Sequence, residues 1–247
     1  ESPAALAGFD PFFVHPEDHV HHAGCGKLER YRAMVEAGLD PIGDPDAGNI
    51  DPFATREALT DTDVLSNLLE LDINPPSTAV SGSNTMVVRS TVNGLTTFTF
   101  NLRSQYTVGT VTVDGAPIAG PTTIGTYSRR VNLPRAFNAG EEFTIRIPFS
   151  GNGVNVGLGS YFLGTYQGNP AAFTLSQPYY AGTWWPCKDG DFGQPGDNTD
   201  KATLDIRISH PSTLSTVSNG TLESVEPLAG NRVRTRWVSN YPTPTYL

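Results

Sequence analysis

The sequence predicts an all-β domain, built as a sandwich or saddle of antiparallel sheets and preceded by an irregular N-terminal arm with one short helix. Apolar and polar residues alternate with a period of two through most of the chain, as they do in half-buried strands. Residues that favour turns are frequent, with 25 Gly and 20 Pro among 247 residues. No helical pattern separates the predicted strands, so we do not expect β-α-β units.

The predicted arm covers residues 1–62, and the predicted β-domain covers residues 63–247. The arm is rich in Asp, Pro and His and holds one helical pattern, near residues 28–37. Leu28, Tyr31 and Val35 share a face at helical spacing. Gly38 follows where a C-terminal cap belongs. The rest of the arm is expected to be irregular.

The clearest strands lie at residues 97–102, 143–149 and 203–209, where every second residue is apolar. Pro148 predicts that the second of them is an edge strand or ends there, because proline has no N–H for a neighbouring strand. Hairpin turns are predicted at the dipeptides Asn93-Gly94, Asp114-Gly115 and Asn219-Gly220.

Composition argues against two kinds of partner. The net charge of −9 would repel a phosphate backbone, so no nucleic-acid partner is expected. No apolar run approaches the roughly 18 residues that a membrane span requires. The acidic, threonine-rich composition and a first residue, Glu1, that is not Met predict a trimmed protein that is secreted, periplasmic or located at the cell surface.

Four of the five histidines cluster in the arm and are candidate metal ligands. They stand in the stretch HPEDHVHH, where Glu17 and Asp18 separate them. Imidazole and carboxylate groups bind zinc and copper, but no strand or helix pattern fixes their positions here. A metal site and a polar arm without a functional metal both fit. The candidate ligands are His15, His19, His21 and His22.

The acidic loop DGDFGQPGDNTD, residues 189–200, is a second candidate metal site. Carboxylate oxygens on a flexible loop are suited to calcium, but the spacing departs from the EF-hand pattern. A calcium site and a solvated connection between strands both remain open. The candidate calcium ligands are Asp189, Asp191, Asp197 and Asp200.

The sequence offers little support for nucleophilic catalysis. No G-x-S-x-G turn occurs, and His210, the one histidine outside the arm, precedes a proline at a predicted strand end. Cys187 follows two tryptophans and Pro186, so we expect a buried, unreactive thiol. Cys25 and Cys187 either pair in an oxidising compartment or stay free.

Four stretches, in order, resemble the N-terminal domain of aminopeptidase N-like zinc metallopeptidases, the family that includes leukotriene hydrolase. The stretch LSQPYYAGTWWPCKD, residues 175–189, is the most diagnostic, and its WWPCKD form is similar to secreted bacterial members. The other three stretches are similar to the opening strands, to a strand pair with a SNG segment, and to the lead into the catalytic domain. They cover residues 63–90, 200–224 and 237–247.

The resemblance implies a β-sandwich saddle that packs on a zinc-containing catalytic domain with an H-E-x-x-H motif and a G-x-M-E-N strand. Neither motif occurs in this sequence, which stops about where that domain would begin. We therefore expect zinc to belong to the missing catalytic domain and this chain to be inactive alone, with no cofactor of its own. Its expected partners are its own catalytic domain and a peptide substrate.

The resemblance assigns a role to one residue. Gln177 falls where the family places the Glu or Gln that binds the free α-amine of the substrate. Two nearby positions depart from the family, because Leu175 stands where a Gln is frequent and Gly182 replaces the usual Arg. The implied function is to shape the amino-terminal end of the peptide pocket of a secreted zinc aminopeptidase.

An alternative function belongs to another class. A non-catalytic extracellular β-sandwich would contact proteins or glycans through exposed aromatic residues, or would assemble with copies of itself. The burial of Trp184 and Trp185 distinguishes the two, because a glycan platform requires exposed rings.

Overall fold

The computed structural model describes residues 60–156, 159–166, 168–176, 180–190 and 199–245. These residues form strands and one turn of 3₁₀ helix, so the all-β prediction is confirmed. Residues 1–59, which include the predicted helix near residues 28–37, lie outside the described residues. The division into an arm and a β-domain stays a prediction.

The strands are named here in chain order, and the 3₁₀ turn covers Ala181–Thr183. They are β1 (Thr62–Ile73), β2 (Ala79–Ser90), β3 (Leu95–Asn101), β4 (Thr107–Val108), β5 (Thr112–Val113), β6 (Ala116–Pro117), β7 (Thr122–Thr123), β8 (Ser128–Phe137), β9 (Glu142–Asn152), β10 (Asn155–Val156), β11 (Gly159–Tyr166), β12 (Asn169–Leu175), β13 (Ala202–Pro211), β14 (Thr221–Leu228) and β15 (Arg232–Thr243).

The largest sheet has nine strands in the order β14-β15-β13-β1-β2-β9-β5-β6, with β4 also paired to β9. Every pair in it is antiparallel except β1 with β13, which run parallel from Ser66 beside Thr203 to Asp72 beside Ser209. A parallel pair cannot be joined by a hairpin, so a long crossover must connect its strands. Here the crossover contains β2 to β12 and the loop that follows β12.

Two three-stranded sheets complete the fold, in the orders β3-β8-β7 and β10-β11-β12. Phe143 of β9 joins the first of them to the large sheet. Its ring centroid lies 5.9 Å from that of Phe98 on β3, in an edge-to-face arrangement, and 4.8 Å from that of Phe137 on β8. Aromatic contacts of this kind favour tight packing. The two sheets therefore enclose a core between them, as in a β-sandwich.

Strand β9 is not an edge strand, so the prediction drawn from Pro148 is wrong. β9 pairs with β2 on one side and with β4 and β5 on the other. The carbonyl of Pro148 accepts a hydrogen bond from the N–H of Gly109 at 2.9 Å. In an antiparallel strand the N–H and C=O of one residue face the same neighbour. The missing N–H of Pro148 therefore faces the gap between β4 and β5, where no ladder bond is lost.

Candidate functional site

The candidate site is the aromatic loop, defined as residues 176–190, which connects β12 to the acidic stretch before β13. Gln177 lies in residues 177–179, outside the described residues, so its predicted role stays a prediction. The residues on either side of that segment contact each other, because Tyr180 donates its N–H to the carbonyl of Ser176 at 2.8 Å. A hydrogen bond therefore joins the two residues that flank the segment containing Gln177.

Asn101, at the end of β3, holds the second half of the aromatic loop. Its N–H donates to the carbonyl of Cys187 at 2.7 Å, and its carbonyl accepts the N–H of Cys187 at 3.2 Å. Its side-chain Oδ1 accepts the N–H of Asp189 at 3.0 Å, and its Nδ2 donates to Oγ of Ser128 at 3.0 Å. Asn101 is 1% exposed, so these bonds satisfy both of its polar side-chain atoms inside the fold.

A second buried amide, Asn84 of β2, supports the middle of the aromatic loop. Its Nδ2 donates to the carbonyl of Pro186 at 2.9 Å and to Oδ1 of Asn67 at 2.8 Å. The burial of Asn84 and Asn101 could not be predicted from the sequence, because a polar residue in an alternating strand predicts a solvent-facing position.

The aromatic loop lies so close to β3 at Gly182 that the packing leaves no room for a side chain. A Cβ atom at this position would lie 2.9 Å from Cβ of Asn101 and 3.4 Å from its carbonyl carbon. The carbonyl of Gly182 also accepts the N–H of Arg103 at 2.8 Å. A larger residue would push the loop away from β3, so the loop approaches this strand more closely than a side chain permits.

A buried ion pair fastens the end of the aromatic loop to β1. Nζ of Lys188 contacts Oδ2 of Asp200 and donates to the carbonyl of Thr62. Oδ1 of Asp200 accepts the N–H of Val64 at 3.0 Å. Burial raises the pKa of Asp200, and the ammonium of Lys188 opposes that shift. The charges neutralise each other in a part of the protein that excludes water.

Asp189 is a buried carboxyl group near the end of the aromatic loop, and its pKa is strongly raised. It is 3% exposed, and burial raises its pKa to about 6. Hydrogen bonds from the Gly190 backbone and from the side chain of Thr245 act in the opposite direction, since they favour the charged form. Asp189 thus connects the aromatic loop to the last described residue of the chain.

The described residues give no support to a metal site. No group of three or more His, Cys, Asp or Glu side chains among them is arranged to hold a metal ion. Asp189 and Asp200, two of the calcium candidates, make the contacts described above, whereas Asp191 and Asp197 lie outside the described residues. The histidine candidates also lie outside them and stay predictions; they are His15, His19, His21 and His22.

The aromatic rings of the loop pack inward. Trp185 is 5% exposed, and Trp184 is partly buried against the core, with its Nε1 donating to Oγ of Ser176 at 3.0 Å. Cys187 is a free and fully buried thiol, and burial raises its pKa well above the ordinary value, which keeps it protonated and unreactive. Cys25 lies outside the described residues. The two tryptophans therefore fix the loop and do not form an exposed binding platform.

The fold and the loop define an all-β saddle domain whose aromatic loop is anchored to three strands of two sheets. The family model described as the peptidase M1 N-terminal domain matches residues 61–247, and the chain belongs to this family. The resemblance found in the sequence is thereby confirmed. Among the described residues, none forms a helix that is long and apolar enough to cross a membrane.

Solved structures with the same fold include an M1 zinc metallopeptidase and an LTA4 hydrolase. The M1 zinc metallopeptidase from Deinococcus radiodurans is 20% identical, with a TM-score of 0.62 over 75% of this chain and 40% of that chain. A mutant of that enzyme bound to a Tyr-Ser-Ala substrate gives the same identity and TM-score, over 41% of its length. Yeast LTA4 hydrolase is 22% identical, with a TM-score of 0.59 over 75% of this chain and 28% of that chain.

This chain spans less than half the length of these structures. At such low identity the likeness concerns the fold alone. A comparison with curated proteins gives no match.

Proposed function

We propose that this chain is the N-terminal domain of a secreted zinc aminopeptidase and that it shapes the amino-terminal end of the peptide pocket. Membership of the M1 family supports an aminopeptidase-type parent protein. The observation that carries the proposal is the anchoring of the aromatic loop. Asn84, Asn101 and the Lys188–Asp200 pair hold its second half from three directions, and the bond from the Tyr180 N–H to the carbonyl of Ser176 joins the two ends of the segment that contains Gln177.

The proposed role of Gln177 is to orient the substrate. Its side-chain carbonyl accepts a hydrogen bond from the α-ammonium group of the peptide. This contact places the scissile bond at a constant distance from the catalytic group, which favours removal of a single residue. A neutral amide binds an ammonium more weakly than a carboxylate does, so the contact positions the substrate and contributes modestly to affinity.

The residues of this chain do not fit a catalytic zinc site. None of the five histidines precedes a Glu, and the described residues contain no cluster of metal ligands. In the proposed parent protein the zinc ligands therefore belong to a catalytic domain that docks against the aromatic loop. This chain contributes to substrate binding and to the shape of the pocket, and it carries no step at the metal.

The proposal is tested on the gene and on the proteins that it encodes. We expect the coding sequence beyond Leu247 to contain H-E-x-x-H within about one domain length, roughly 150 residues. The parent protein should release the first residue of an unblocked peptide in a chelator-sensitive manner, and the 247-residue chain should not. A gene without this motif, or peptidase activity in the isolated chain, would contradict the proposal.

Export is part of the same proposal. The net charge of −9 and the threonine-rich surface strands support it. Cell fractionation provides the test, with the parent protein expected in the periplasm, on the surface or in the medium. Its recovery from the cytosol alone would contradict export.

A further inference from the structure

A cavity of about 920 Å³ lies between the large sheet and β12. On β1 it is lined by every second residue from Asn67 to Ile73, and on β13 by every second residue from Ala202 to His210. Successive side chains of a strand point to opposite faces, so one face of β1 and β13 forms the floor of the cavity. The middle of this floor is aliphatic, with the side chains of Leu69, Leu71, Leu204, Ile206 and Ile208.

Strand β12 borders the same cavity in a different way. Every residue of β12, from Asn169 to Leu175, lines the cavity, without alternation. A cavity on one face of a strand contacts only every second side chain, whereas a cavity along the edge of a strand meets each residue in turn. β12 therefore presents its edge to the cavity. In the part of the chain that the structure describes, β12 pairs with β11 alone, so no strand lies beside this edge there.

The register of the β11-β12 hairpin shows which backbone groups lie at this edge. Tyr166 pairs with Asn169 across the turn, and the N–H of the last residue of such a turn bonds to the carbonyl of the first. The backbone groups of Asn169 therefore face β11, and those of alternate residues along β12 face opposite edges. Pro170, Ala172 and Thr174 thus face away from β11. Pro170 and Thr174 are exposed, and Ala172 is partly buried.

The outer edge of β12 is a template for a further strand. It offers the N–H groups of Ala172 and Thr174 as donors, and the carbonyl groups of the same two residues and of Pro170 as acceptors. Pro170 has no N–H to offer, and at this edge it costs no bond to β11. A row of alternating backbone donors and acceptors is matched by another extended backbone, and a hydrocarbon or a sugar carries no such row.

The rest of the lining limits the occupant to a single strand. The segments 213–219 and 243–245 complete the wall of the cavity, so it is a groove with β12 on one side. The sheet edge of a second copy would bring another strand behind the first, in the place that this wall occupies. Lys188 and Asp200 also line the groove, and each neutralises the other. The groove therefore favours one extended chain with uncharged side chains over its floor.

We propose that this groove binds an extended peptide segment about as long as β12, which adds to the outer edge of β12 as a further strand. Its backbone pairs with Ala172 and Thr174, and every second side chain lies on the aliphatic floor, which favours aliphatic residues at alternate positions. The site is independent of the proposed peptidase function. The segment binds along its length without a free α-amine, and neither Gln177 nor a catalytic domain takes part.

The test titrates the 247-residue chain with the capped peptide acetyl-KTVTVTVK-amide, whose Val residues alternate with Thr. Tryptophan fluorescence follows binding, because Trp184 and Trp185 line the groove and the peptide has no Trp. Saturable binding is expected. The comparator is the same peptide N-methylated at its two central residues, which removes one N–H from each of its edges. It should bind about tenfold more weakly, because strand pairing is interrupted.

Hydrogen exchange, measured residue by residue with NMR on the full chain, identifies the edge. The amide protons of Ala172 and Thr174 should exchange about tenfold more slowly with the peptide bound, because each gains a hydrogen bond. Ala171 and Phe173 face β11 and serve as internal controls, so the exchange of their amide protons should change far less. A ligand that only covers the aliphatic floor would not produce this alternation along β12.

A proline variant tests the same edge from the side of the protein. Ala172→Pro removes one outward donor and leaves the bonds between β12 and β11 in place, so it should weaken peptide binding about tenfold. Ala119→Pro, in an exposed loop outside the groove, is the control and should bind as the wild type does. Circular dichroism verifies the fold of both variants. If Ala172→Pro does not fold, the exchange measurement on the wild-type chain decides the matter.

Several results would overturn the proposal. One is the absence of saturable peptide binding to the folded chain. Another is equal binding of the N-methylated peptide, which indicates apolar adsorption without strand pairing. A third is slow exchange of Ala172 and Thr174 before any peptide is added. If that protection rises with protein concentration, the edge is occupied by a second copy, and if it does not, by another segment of the same chain.

Discussion

Lys188 and Asp200 form an ion pair inside the protein, with side chains that are only 2% and 6% exposed. The pair joins the aromatic loop to β1 at two points, the carbonyl of Thr62 and the N–H of Val64. Each charge is compensated by the other and by a backbone group of β1. The attachment therefore depends on both residues together, since the loss of either one leaves a buried charge without its partner.

Replacing Lys188 should expose this dependence. We expect Lys188→Met to lower the free energy of unfolding by about 3–5 kcal/mol, because Asp200 is then buried without a counter-charge. The double variant Lys188→Met with Asp200→Leu should recover much of the loss. Urea unfolding measures both values. Arg135→Met is the control, because the Arg135–Glu141 pair is exposed and its loss should cost far less than the loss of Lys188. Equal effects of the two single changes would contradict the buried pair.

Asp189 should make stability depend on pH. Its pKa is raised from the ordinary 3.8 to about 6 in the folded protein. Between these values the folded state binds more protons than the unfolded state. The contribution of Asp189 to the free energy of unfolding therefore falls as pH rises from about 4 to above 6. The free energy of unfolding is expected to fall by about 3 kcal/mol over this interval because of Asp189. Urea unfolding of the wild type and of Asp189→Asn at several pH values gives this contribution as their difference.

Asp189→Asn should be less sensitive to pH over that interval than the wild type, since the amide does not titrate. Glu223→Gln, which changes an exposed residue of β14, is the control and should keep the wild-type slope. If Asp189→Asn follows the wild-type curve at a constant offset, the carboxylate does not titrate in this interval.

Gly182 should tolerate no side chain. We expect Gly182→Ala to lower the free energy of unfolding by about 1–3 kcal/mol, because the added Cβ would lie 2.9 Å from Cβ of Asn101. Gly120→Ala is the matched control, since a Cβ there meets no atom within 4 Å. Thermal unfolding of both variants provides the comparison. A neutral or stabilising Gly182→Ala would show that the loop can move away from β3 at little cost.

The sequence predicted the strands well because their alternation is a local property. Ile145 and Ile147 are fully buried, as their alternation on β9 indicates. The parallel pairing of β1 with β13 was not predictable in this way, because it joins segments more than a hundred residues apart and depends on everything that folds between them. The central position of β9 in the sheet was not predictable from Pro148. The presence of a proline does not determine toward which neighbouring strand its missing N–H would point.

The candidate site was only partly predictable, for a related reason. The motif around Cys187 placed the loop, and the prediction that Cys187 is buried is confirmed. Asn84 and Asn101, which hold the loop, occupy strand positions that the alternation of apolar and polar residues predicts to face solvent. They are buried because a loop about 90–100 residues later covers them, and a single sequence carries no local signal of that contact.

Gln177 should affect affinity for the free amino terminus of a substrate, if the proposed function is correct. In the parent enzyme, Gln177→Glu adds a charge-assisted hydrogen bond to the α-ammonium group and should lower KM about threefold to tenfold. Gln177→Leu should raise KM about fivefold, because the hydrogen bond is lost. Steady-state kinetics on one peptide, with its amine free or acetylated, separates binding of the amine from a general defect.

Both variants should leave hydrolysis of the acetylated peptide unchanged. The control Asn240→Leu, an exposed change on β15, should alter hydrolysis of neither peptide. An equal effect on the two peptides would indicate that Gln177 supports the loop and does not contact the amine.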